Sequence, residues 1–286
     1  MSHRSIASTG PAMERPGSYE FSAANTSGDS VGRDIDPVIG IDHFSMRAPV
    51  FAPHPHAGFS AVTYLFEDSE GDFLNRDSLG HQLTARPGAV IWTVAGSGVL
   101  HDEFPKQRGK RSHGLQVFVN LAAAEKMQAP RVLFVDGPDV PVFTSDGVRV
   151  RVVAGTVGRT HATIEPPGGV MFLDVYLDPG ATFAQPVPPD HSVLAYVVEG
   201  HALVGDEGRE LGAHEAASLA ADGDAVTLRA AADGAHVVVI AGRPLREPVV
   251  SYGPFIMNSE EQVTSAIERY RAGQMGRLDP VNMKPS

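Results

Sequence analysis

The sequence predicts an all-β protein made of two similar β units in tandem, with one short helix near its C-terminus. Three observations support this fold class. Short apolar runs separated by Gly, Pro and Asp occupy most of the chain, the set of runs occurs twice, and only one segment carries helix-capping signals. Such runs, divided by turn residues, are typical of antiparallel strands in a sandwich or barrel. The 286 residues include 30 Gly and 22 Pro, which suits a turn-rich protein with a substantial core.

The N-terminal segment differs from the rest of the chain. It is rich in Ser, Gly, Ala, Thr and Pro and shows little periodicity, so residues 1–34 are expected to form a mobile arm. The segment also lacks the apolar core of a signal peptide, and no stretch approaches the roughly 18 to 20 apolar residues of a membrane span. A cytoplasmic protein without membrane contact is therefore expected.

The apolar runs divide into two groups, which predict one β unit over residues 35–145 and another over residues 146–245. The earlier runs occupy 61–66, 89–94, 115–119, 131–135 and 148–153. The later runs occupy 170–177, 192–200, 225–230 and 236–242. Two similar units divided near Asp146 are the simplest organisation of this pattern.

The C-terminal extension, residues 246–286, contains the predicted helix over residues 260–272. Ser259 is a suitable N-cap, and Gln262 stands three residues later as in a capping box. Gly273 is expected to end the helix in a left-handed conformation. The apolar stripe consists of Val263, Ile267 and Tyr270. This stripe is expected to pack on a β unit, and it is assigned no catalytic part.

Two histidines, His54 and His56, flank a proline in the stretch FAPHPHAGFS. In an extended segment, residues i and i+2 project to the same side of the backbone, so both imidazoles could bind one metal ion. An isolated pair of this kind is also common in polar surface turns. The pair becomes a metal-site hypothesis only if the chain supplies further ligands.

A second pair with the same spacing, His101 and Glu103, follows a Gly-rich turn in the same β unit. The two pairs on neighbouring antiparallel strands would bring three imidazoles and one carboxylate to one centre. Such a centre leaves coordination positions open for water, substrate or dioxygen. The chain has no cysteine, so any metal must be held by nitrogen and oxygen ligands.

Net charge excludes one class of partner. The chain carries a formal charge of −11 and has a sequence pI near 5.5. Binding to a phosphate backbone needs clustered Lys and Arg, so direct contact with nucleic acid is not expected. The acidity is instead typical of a soluble protein.

Several long strings occur in order after residue 34. They are DPVIGIDHF, PHPHAGFSAVTYLF, RDSLG, PGAVIWTVAGSGVLHDE, HGLQVFVNLA and EPVVSYGPFIMNSEEQV. Together they resemble the pirin family of the cupin superfamily. The resemblance implies a bicupin, with two tandem cupin β-barrels of which the first alone binds a metal ion. That implied ion is one Fe(II) per chain, although nitrogen and oxygen ligands also accept Mn, Ni, Cu or Zn.

The resemblance places the family's metal ligands on His54, His56, His101 and Glu103. No histidine of the second unit stands in a comparable pair, so these are expected to be solvated or hydrogen-bonded; they are His191, His201, His214 and His236. His43 and His113 lie in family strings, but their spacing indicates packing or hydrogen bonding rather than ligation.

The chain departs from the family pattern near the predicted metal site. Ala57 and Ser60 stand where many pirins have arginine and glutamate, Asn75 replaces a histidine, and Phe118 replaces a tryptophan. The predicted ligands are unchanged. The substrate, and with it the activity, therefore depends on residues that differ from the family.

Two functions remain open. The first is a flavonol-cleaving dioxygenase of the quercetin 2,3-dioxygenase type, with a small aromatic substrate and O₂, in which Glu103 is both ligand and catalytic base. The second is a metal-dependent regulator that binds a transcription factor or a metabolic enzyme. We favour the enzyme, as a monomer, because four ligands leave room for substrate and oxygen. Aromatic residues could line its pocket or simply form core; the candidates are Phe59, Phe66, Trp92 and Phe104.

Overall fold

Antiparallel strands form most of the chain, and the structure is a computed structural model that describes residues 2–32 and 35–281. The strands up to residue 135 are β1 (Ile6–Pro11), β2 (Met13–Glu14), β3 (Phe21–Ser27), β4 (Val38–Met46), β5 (His54–His56), β6 (Phe59–Leu65), β7 (Phe73–Asp77), β8 (Gln82–Ala85), β9 (Val90–Val94), β10 (Val99–Pro105), β11 (Ser112–Asn120) and β12 (Arg131–Val135).

Twelve more strands follow residue 135 in the described part of the chain, with one short 3₁₀ turn before β13 and another between β16 and β17. They are β13 (Val142–Ser145), β14 (Val148–Ala154), β15 (Thr156–Val157), β16 (Thr160–His161), β17 (Met171–Leu177), β18 (Thr182–Pro186), β19 (Ser192–Val204), β20 (Arg209–Gly212), β21 (Glu215–Leu219), β22 (Ala225–Gly242), β23 (Val250–Tyr252) and β24 (Phe255–Met257). The 3₁₀ turns are Gly137–Asp139 and Pro167–Gly169. Helix α1 (Glu260–Arg271) is the single α-helix of the described ranges.

The chain forms two compact units, neither of which is one continuous segment. The HPH unit, named for the HPH sequence within it, comprises residues 16–23, 43–138 and 246–286. The second unit comprises residues 1–15, 24–42 and 139–245. The C-terminal extension thus belongs to the same unit as the predicted metal ligands.

Two antiparallel sheets build the HPH unit. The larger one has the strand order β12-β9-β6-β11-β4-β3-β2, and the smaller one has the order β5-β10-β7-β8. Apolar side chains from both sheets share one core, which includes Phe44, Leu65, Phe73 and Ile91. Because side chains alternate along a strand, the smaller sheet can direct polar residues of β10 inward while its other residues pack outward.

Helix α1 covers that outward face of the smaller sheet. Ala57 and Leu100 pack in one cluster with Val263 and Ala266 of α1 and with Met275. The predicted N-cap is present, since the Ser259 hydroxyl accepts the Gln262 N–H at 3.3 Å. The helix ends at Arg271, one residue before the predicted end, and Gly273 follows with φ of +71°. The local signals predicted this element because capping acts within one turn.

The second unit is dominated by one large antiparallel sheet. Its strand order is β1-β21-β19-β22-β17-β14-β13, with β18 paired to β22 and β20 paired to β19. Aliphatic side chains dominate its core, including Val150, Val175, Val197, Val237 and Val239. The long apolar runs of the sequence supply these strands.

The sequence predicted a mobile arm over residues 1–34, and this prediction is wrong for the described part of the segment. That part forms strands β1, β2 and β3. Strand β1 is an edge strand that pairs with β21, for example Thr9 with Ala217. Arg4 is fully buried and donates to the carbonyls of Gly223, His191 and Pro188. The segment is held by backbone pairing and by one buried cation rather than by a row of apolar side chains. Its sequence therefore lacks the hydrophobic period that would have predicted a strand.

No helix in the described ranges is long and apolar enough to cross a membrane.

Candidate metal centre

Three imidazoles converge inside the HPH unit. His54 and His56 lie on β5 and His101 on β10, and the antiparallel register places His54 directly opposite His101. One nitrogen from each ring lies within 4.8 Å of the others. The i, i+2 spacing therefore brought the two rings of β5 to one side, and strand pairing added the third.

Two glycines let the C-terminal segment approach the ends of these strands. Gly58 has φ of +86°, and a Cβ on it would lie 1.9 Å from the Ile256 carbonyl oxygen. Gly98 has φ of +132°, and a Cβ there would lie 2.5 Å from the Met275 sulfur. A larger residue at either position would displace the segment that supports β5 and β10.

The hydrogen bonds of the imidazoles leave nitrogens free for a metal ion. His54 Nδ1 lies 3.0 Å from the Ala52 carbonyl oxygen, and His101 Nδ1 lies 3.3 Å from Asn75 Oδ1. Both nitrogens donate to these oxygens, which leaves a lone pair on each Nε2. His101 Nε2 and His56 Nδ1 are buried without a hydrogen-bond partner. Buried polar atoms of this kind are rare, and a divalent cation would satisfy them, so the residues fit a metal ion.

The imidazoles are held in the neutral form that binds metals. Burial lowers the pKa of His56 to about 3 and lowers that of His101 well below its usual range. The pKa of His54 is also lowered, chiefly by burial. Desolvation disfavours the imidazolium, and neighbouring rings repel a further positive charge. Protons therefore compete weakly with a metal at neutral pH.

Glu103 lies two residues beyond His101 on β10 and projects to the same face. It is buried, and its Oε1 accepts the Thr63 hydroxyl at 2.6 Å. Burial raises its pKa to about 7, against the opposing effect of the Thr63 bond, and the Asp102 charge adds to the rise. Glu103 is not part of the group of three nitrogens that lie within 4.8 Å. Its role as a fourth ligand therefore stays a prediction.

Asn75 and Thr63 hold the polar groups of the centre. Asn75, the substitute for a family histidine, is fully buried and pairs with Glu103 across β7 and β10. Its amide oxygen orients His101, as described above. Thr63 was missed by sequence reasoning because it lies within the apolar run AVTYLF and carries no spacing signal.

Aromatic rings flank the cluster on two sides. Phe59 lies edge-on to His56, with ring centroids 5.1 Å apart, and Phe118 packs against Phe59. Phe51, which was missed, lies 6.2 Å from His54 and is half-exposed. Phe21 packs edge-on against Phe51 at 5.0 Å.

Of the four aromatic residues suggested as pocket walls, Phe59 has a ring contact with one of the three histidines, His56. Phe66 contacts His43 and His113 instead. Phe104 lies under the Arg76 guanidinium. Trp92 is fully buried on β9. The apolar character of a strand residue does not reveal which face it occupies when both faces are buried.

The two departures beside the HPH sequence have different environments. Ala57 is fully buried in the cluster with Phe255 and α1. Ser60 follows Phe59 on β6, so its side chain projects away from the face that carries Phe59 and Thr63. The sequence pattern placed Ser60 beside the metal site. Alternation along β6 instead directs its side chain to the opposite face of the strand.

The histidines of the second unit have other partners. His201 lies 2.7 Å from Asp233 and is exposed. His236 contacts Asp174 and stacks on Tyr176, with ring centroids 4.1 Å apart. His43 and His113 form an Nε2–Nε2 contact of 2.7 Å, in line with hydrogen-bonding roles.

Comparison with known protein families identifies this architecture. The model of the pirin family matches residues 21–119, and the model of the pirin C-terminal cupin domain matches residues 172–276. The chain belongs to the pirin family. The predicted bicupin fold with a C-terminal helix is thereby confirmed.

Relatives of this pirin include proteins named for an activity. A Pseudomonas aeruginosa protein provisionally named a quercetin 2,3-dioxygenase is 37% identical over 251 residues, which cover 84% of this chain and 86% of that protein. The crystal structure of a quercetin 2,3-dioxygenase from Acinetobacter baumannii superimposes with a TM-score of 0.87 at 27% identity, covering 98% of this chain and all of that one.

A more distant pirin has been solved with a metal. The Escherichia coli pirin YhhW, in complex with nickel(II), has a TM-score of 0.65 at 17% identity and covers 82% of this chain and 98% of its own. At this identity the comparison supports the shared fold.

Proposed function

We propose that this pirin is a flavonol-cleaving dioxygenase of the quercetin 2,3-dioxygenase type. The observation that carries the proposal is a buried carboxylate, Glu103, on the same strand face as His101 of the three-histidine cluster. The A. baumannii and P. aeruginosa relatives, both named for this activity, support the same reaction class.

The proposed cofactor is one divalent ion per chain, Fe(II) in the first instance, held by His54, His56 and His101 with Glu103 as fourth ligand. When bound, such an ion supplies Lewis acidity toward the 3-hydroxyl of the flavonol and an electronic path to O₂. Mn, Ni, Cu and Zn suit the same nitrogen and oxygen donors.

Glu103 is the group that takes the proton of the flavonol 3-hydroxyl. The three neutral imidazoles cannot serve as this base while their lone pairs hold a metal. The Thr63 hydroxyl donates to Oε1, so the two lone pairs of Oε2 would serve the metal ion and the incoming proton. Burial raises the pKa of Glu103 above its ordinary range, which favours uptake of the proton by this carboxylate.

Phe51, which is half-exposed, offers apolar surface for the aromatic rings of the substrate, and the buried Phe59 packs behind His56. Phe59 contacts His56 and Phe51 contacts His54, so the rings stand on two sides of the cluster. Aromatic surfaces of this kind stack on planar ligands and displace water from the reacting groups.

The test is oxygen consumption and carbon monoxide release by the iron-loaded protein with quercetin under controlled oxygen. Turnover well above that of free iron at the same concentration is expected. Turnover no greater than free iron would reject the activity, and a metal-dependent regulator of a protein partner would then become the better hypothesis.

A further inference from the structure

One hydrogen bond in the HPH unit joins its two sheets through the interior. Thr63 lies on β6 of the larger sheet, and Glu103 lies on β10 of the smaller sheet. The 2.6 Å contact between Thr63 Oγ1 and Glu103 Oε1 is buried at both ends. Hydrogen bonds to a buried carboxylate are stronger than neutral ones, so this contact constrains the Glu103 side chain.

The Thr63 hydroxyl has a second neighbour, Gln116, whose Oε1 lies 3.0 Å away. One hydroxyl proton cannot serve two acceptors, and Gln116 Nε2 is buried without a partner. Turning the Gln116 amide by half a rotation resolves both conflicts, because Nε2 then donates to Thr63 Oγ1 and Thr63 donates to Glu103. The result is a directed chain from Gln116 through Thr63 to Glu103.

Two of the three imidazoles and the carboxylate have separate hydrogen-bond partners. His54 is oriented by the Ala52 carbonyl and His101 by Asn75. Across residues 2–32 and 35–281, the Glu103 side chain has one hydrogen-bond partner, Thr63. The rotation of this carboxylate therefore depends on a single hydroxyl.

We propose that Thr63 is a positioning residue that holds the Glu103 carboxylate toward the three-histidine cluster, with Gln116 fixing the direction of the Thr63 hydroxyl. The inference rests on the proposed function, in which Glu103 is a ligand and a base. Loss of the hydroxyl leaves a buried carboxylate without an anchor, so the metal loses a well-placed fourth ligand.

The experiment measures cobalt(II) affinity by calorimetry on the metal-free full-length chain. Thr63→Val replaces the hydroxyl with a methyl group, Thr63→Ala removes both the hydroxyl and the γ-methyl group, and Thr63→Ser retains the hydroxyl. Loss of an outer-shell partner typically weakens metal binding about 10- to 100-fold, so this loss is expected for the valine and alanine variants. The serine variant should bind close to wild type. Thr26→Val, at a buried strand threonine of the second unit, is the matched control and should leave the affinity unchanged.

The decisive comparison repeats the Thr63 substitutions in a Glu103→Ala background. Because Thr63 acts through Glu103, the substitutions should have no further effect on cobalt(II) affinity there. An equal loss in both backgrounds, or wild-type affinity of Thr63→Val and Thr63→Ala with Glu103 intact, would overturn the inference.

Flavonol turnover separates this inference from the proposed function. One outcome is that the Thr63 substitutions weaken cobalt(II) binding only when Glu103 is present, in a protein that shows no flavonol turnover. That result would reject the activity and keep the positioning role. Flavonol turnover in a protein whose Thr63 substitutions do not act through Glu103 would keep the activity and reject the positioning role. In an active protein, Thr63→Val should lower kcat with little change in KM, and Thr63→Ser should restore kcat.

Discussion

At the scale of single residues, hydrogen bonds to Nδ1 direct the Nε2 atoms of two of the three imidazoles, His54 and His101, toward a metal ion. The Ala52 carbonyl and the Asn75 amide oxygen each accept an Nδ1–H, which fixes the tautomers of His54 and His101. Asparagine performs here the orienting role that a carboxylate or carbonyl performs in other metal sites. The replacement of a family histidine at position 75 is therefore compatible with a working metal centre.

The first residue-scale prediction concerns Glu103. Glu103→Gln should keep measurable iron but lose dioxygenase turnover, because the amide still offers an oxygen yet cannot take the phenolic proton. The expected loss in kcat is about 10²- to 10⁴-fold. Oxygen consumption and iron content are measured on the same samples. Glu210→Gln, at an exposed position of β20, serves as control; wild-type kcat in Glu103→Gln would contradict the assignment.

The second residue-scale prediction concerns Phe51. Phe51→Ala should raise KM for quercetin by about 2- to 12-fold, the equivalent of one lost aromatic contact, and change kcat little. Steady-state kinetics measure both constants. Tyr252→Ala, at an exposed aromatic residue of the β23–β24 hairpin, should change neither. An unaltered KM in Phe51→Ala would remove Phe51 from the substrate surface.

The sequence predicted the three histidines because strand spacing is a local rule that brings alternate residues to one side. It could not reveal Thr63 or Phe51. Thr63 reaches Glu103 from a strand of the other sheet, and this contact joins residues 40 positions apart. Phe51 lies in a loop, where no period indicates the direction of a side chain.

At the scale of elements, strand β10 is covered on both faces. His101 and Glu103 share one face of the strand, whereas Leu100, on the other face, packs with α1. Ser78 joins the strand to the C-terminal segment, since its hydroxyl donates to the Met275 carbonyl and accepts the Leu100 N–H. The C-terminal segment therefore supports the strand that carries two of the four predicted ligands.

The element-scale prediction is that deletion from Ser259 onward lowers the melting temperature and the metal content together. The deletion exposes Ala57 and Leu100 and removes the partner of Ser78. Thermal unfolding and metal analysis test it. Glu268→Ala, on the exposed face of α1, should leave both unchanged. Full stability and full metal content after the deletion would show that the helix is dispensable.

Helix α1 and strand β1 show why some elements are predictable and others are not. The helix carries its own start and stop signals at Ser259 and Gly273. Strand β1 forms by backbone pairing to β21, more than 200 residues away, as in the pair of Thr9 with Ala217. An edge strand with partly buried small polar residues has no sequence period, so composition alone indicated a mobile arm.

At the scale of the whole molecule, the expected stoichiometry is about one divalent ion per chain, because one group of three histidines was found among the described residues. His56→Ala should abolish binding, since it removes one of three converging imidazoles. Metal at 100 times its Kd should stabilise the wild-type protein by about 2.7 kcal/mol and should not stabilise the variant. Metal analysis and thermal unfolding measure these effects.

The matched control for that prediction is His201→Ala in the second unit. His201 is exposed and paired with Asp233, so its loss should leave the metal content intact. Loss of metal in His201→Ala together with full metal in His56→Ala would move the centre to the other unit.

The discontinuous composition of the HPH unit has a consequence for the order in which the protein folds as it is synthesised. Its central segment, residues 43–138, leaves the ribosome well before residues 246–281, which supply β23, β24 and α1. Until then Ala57 and Leu100 lack the apolar partners that cover them in the finished chain. A nascent chain thus exposes this apolar surface while residues 139–245 of the second unit are translated, and chaperone binding or aggregation is concentrated in that interval.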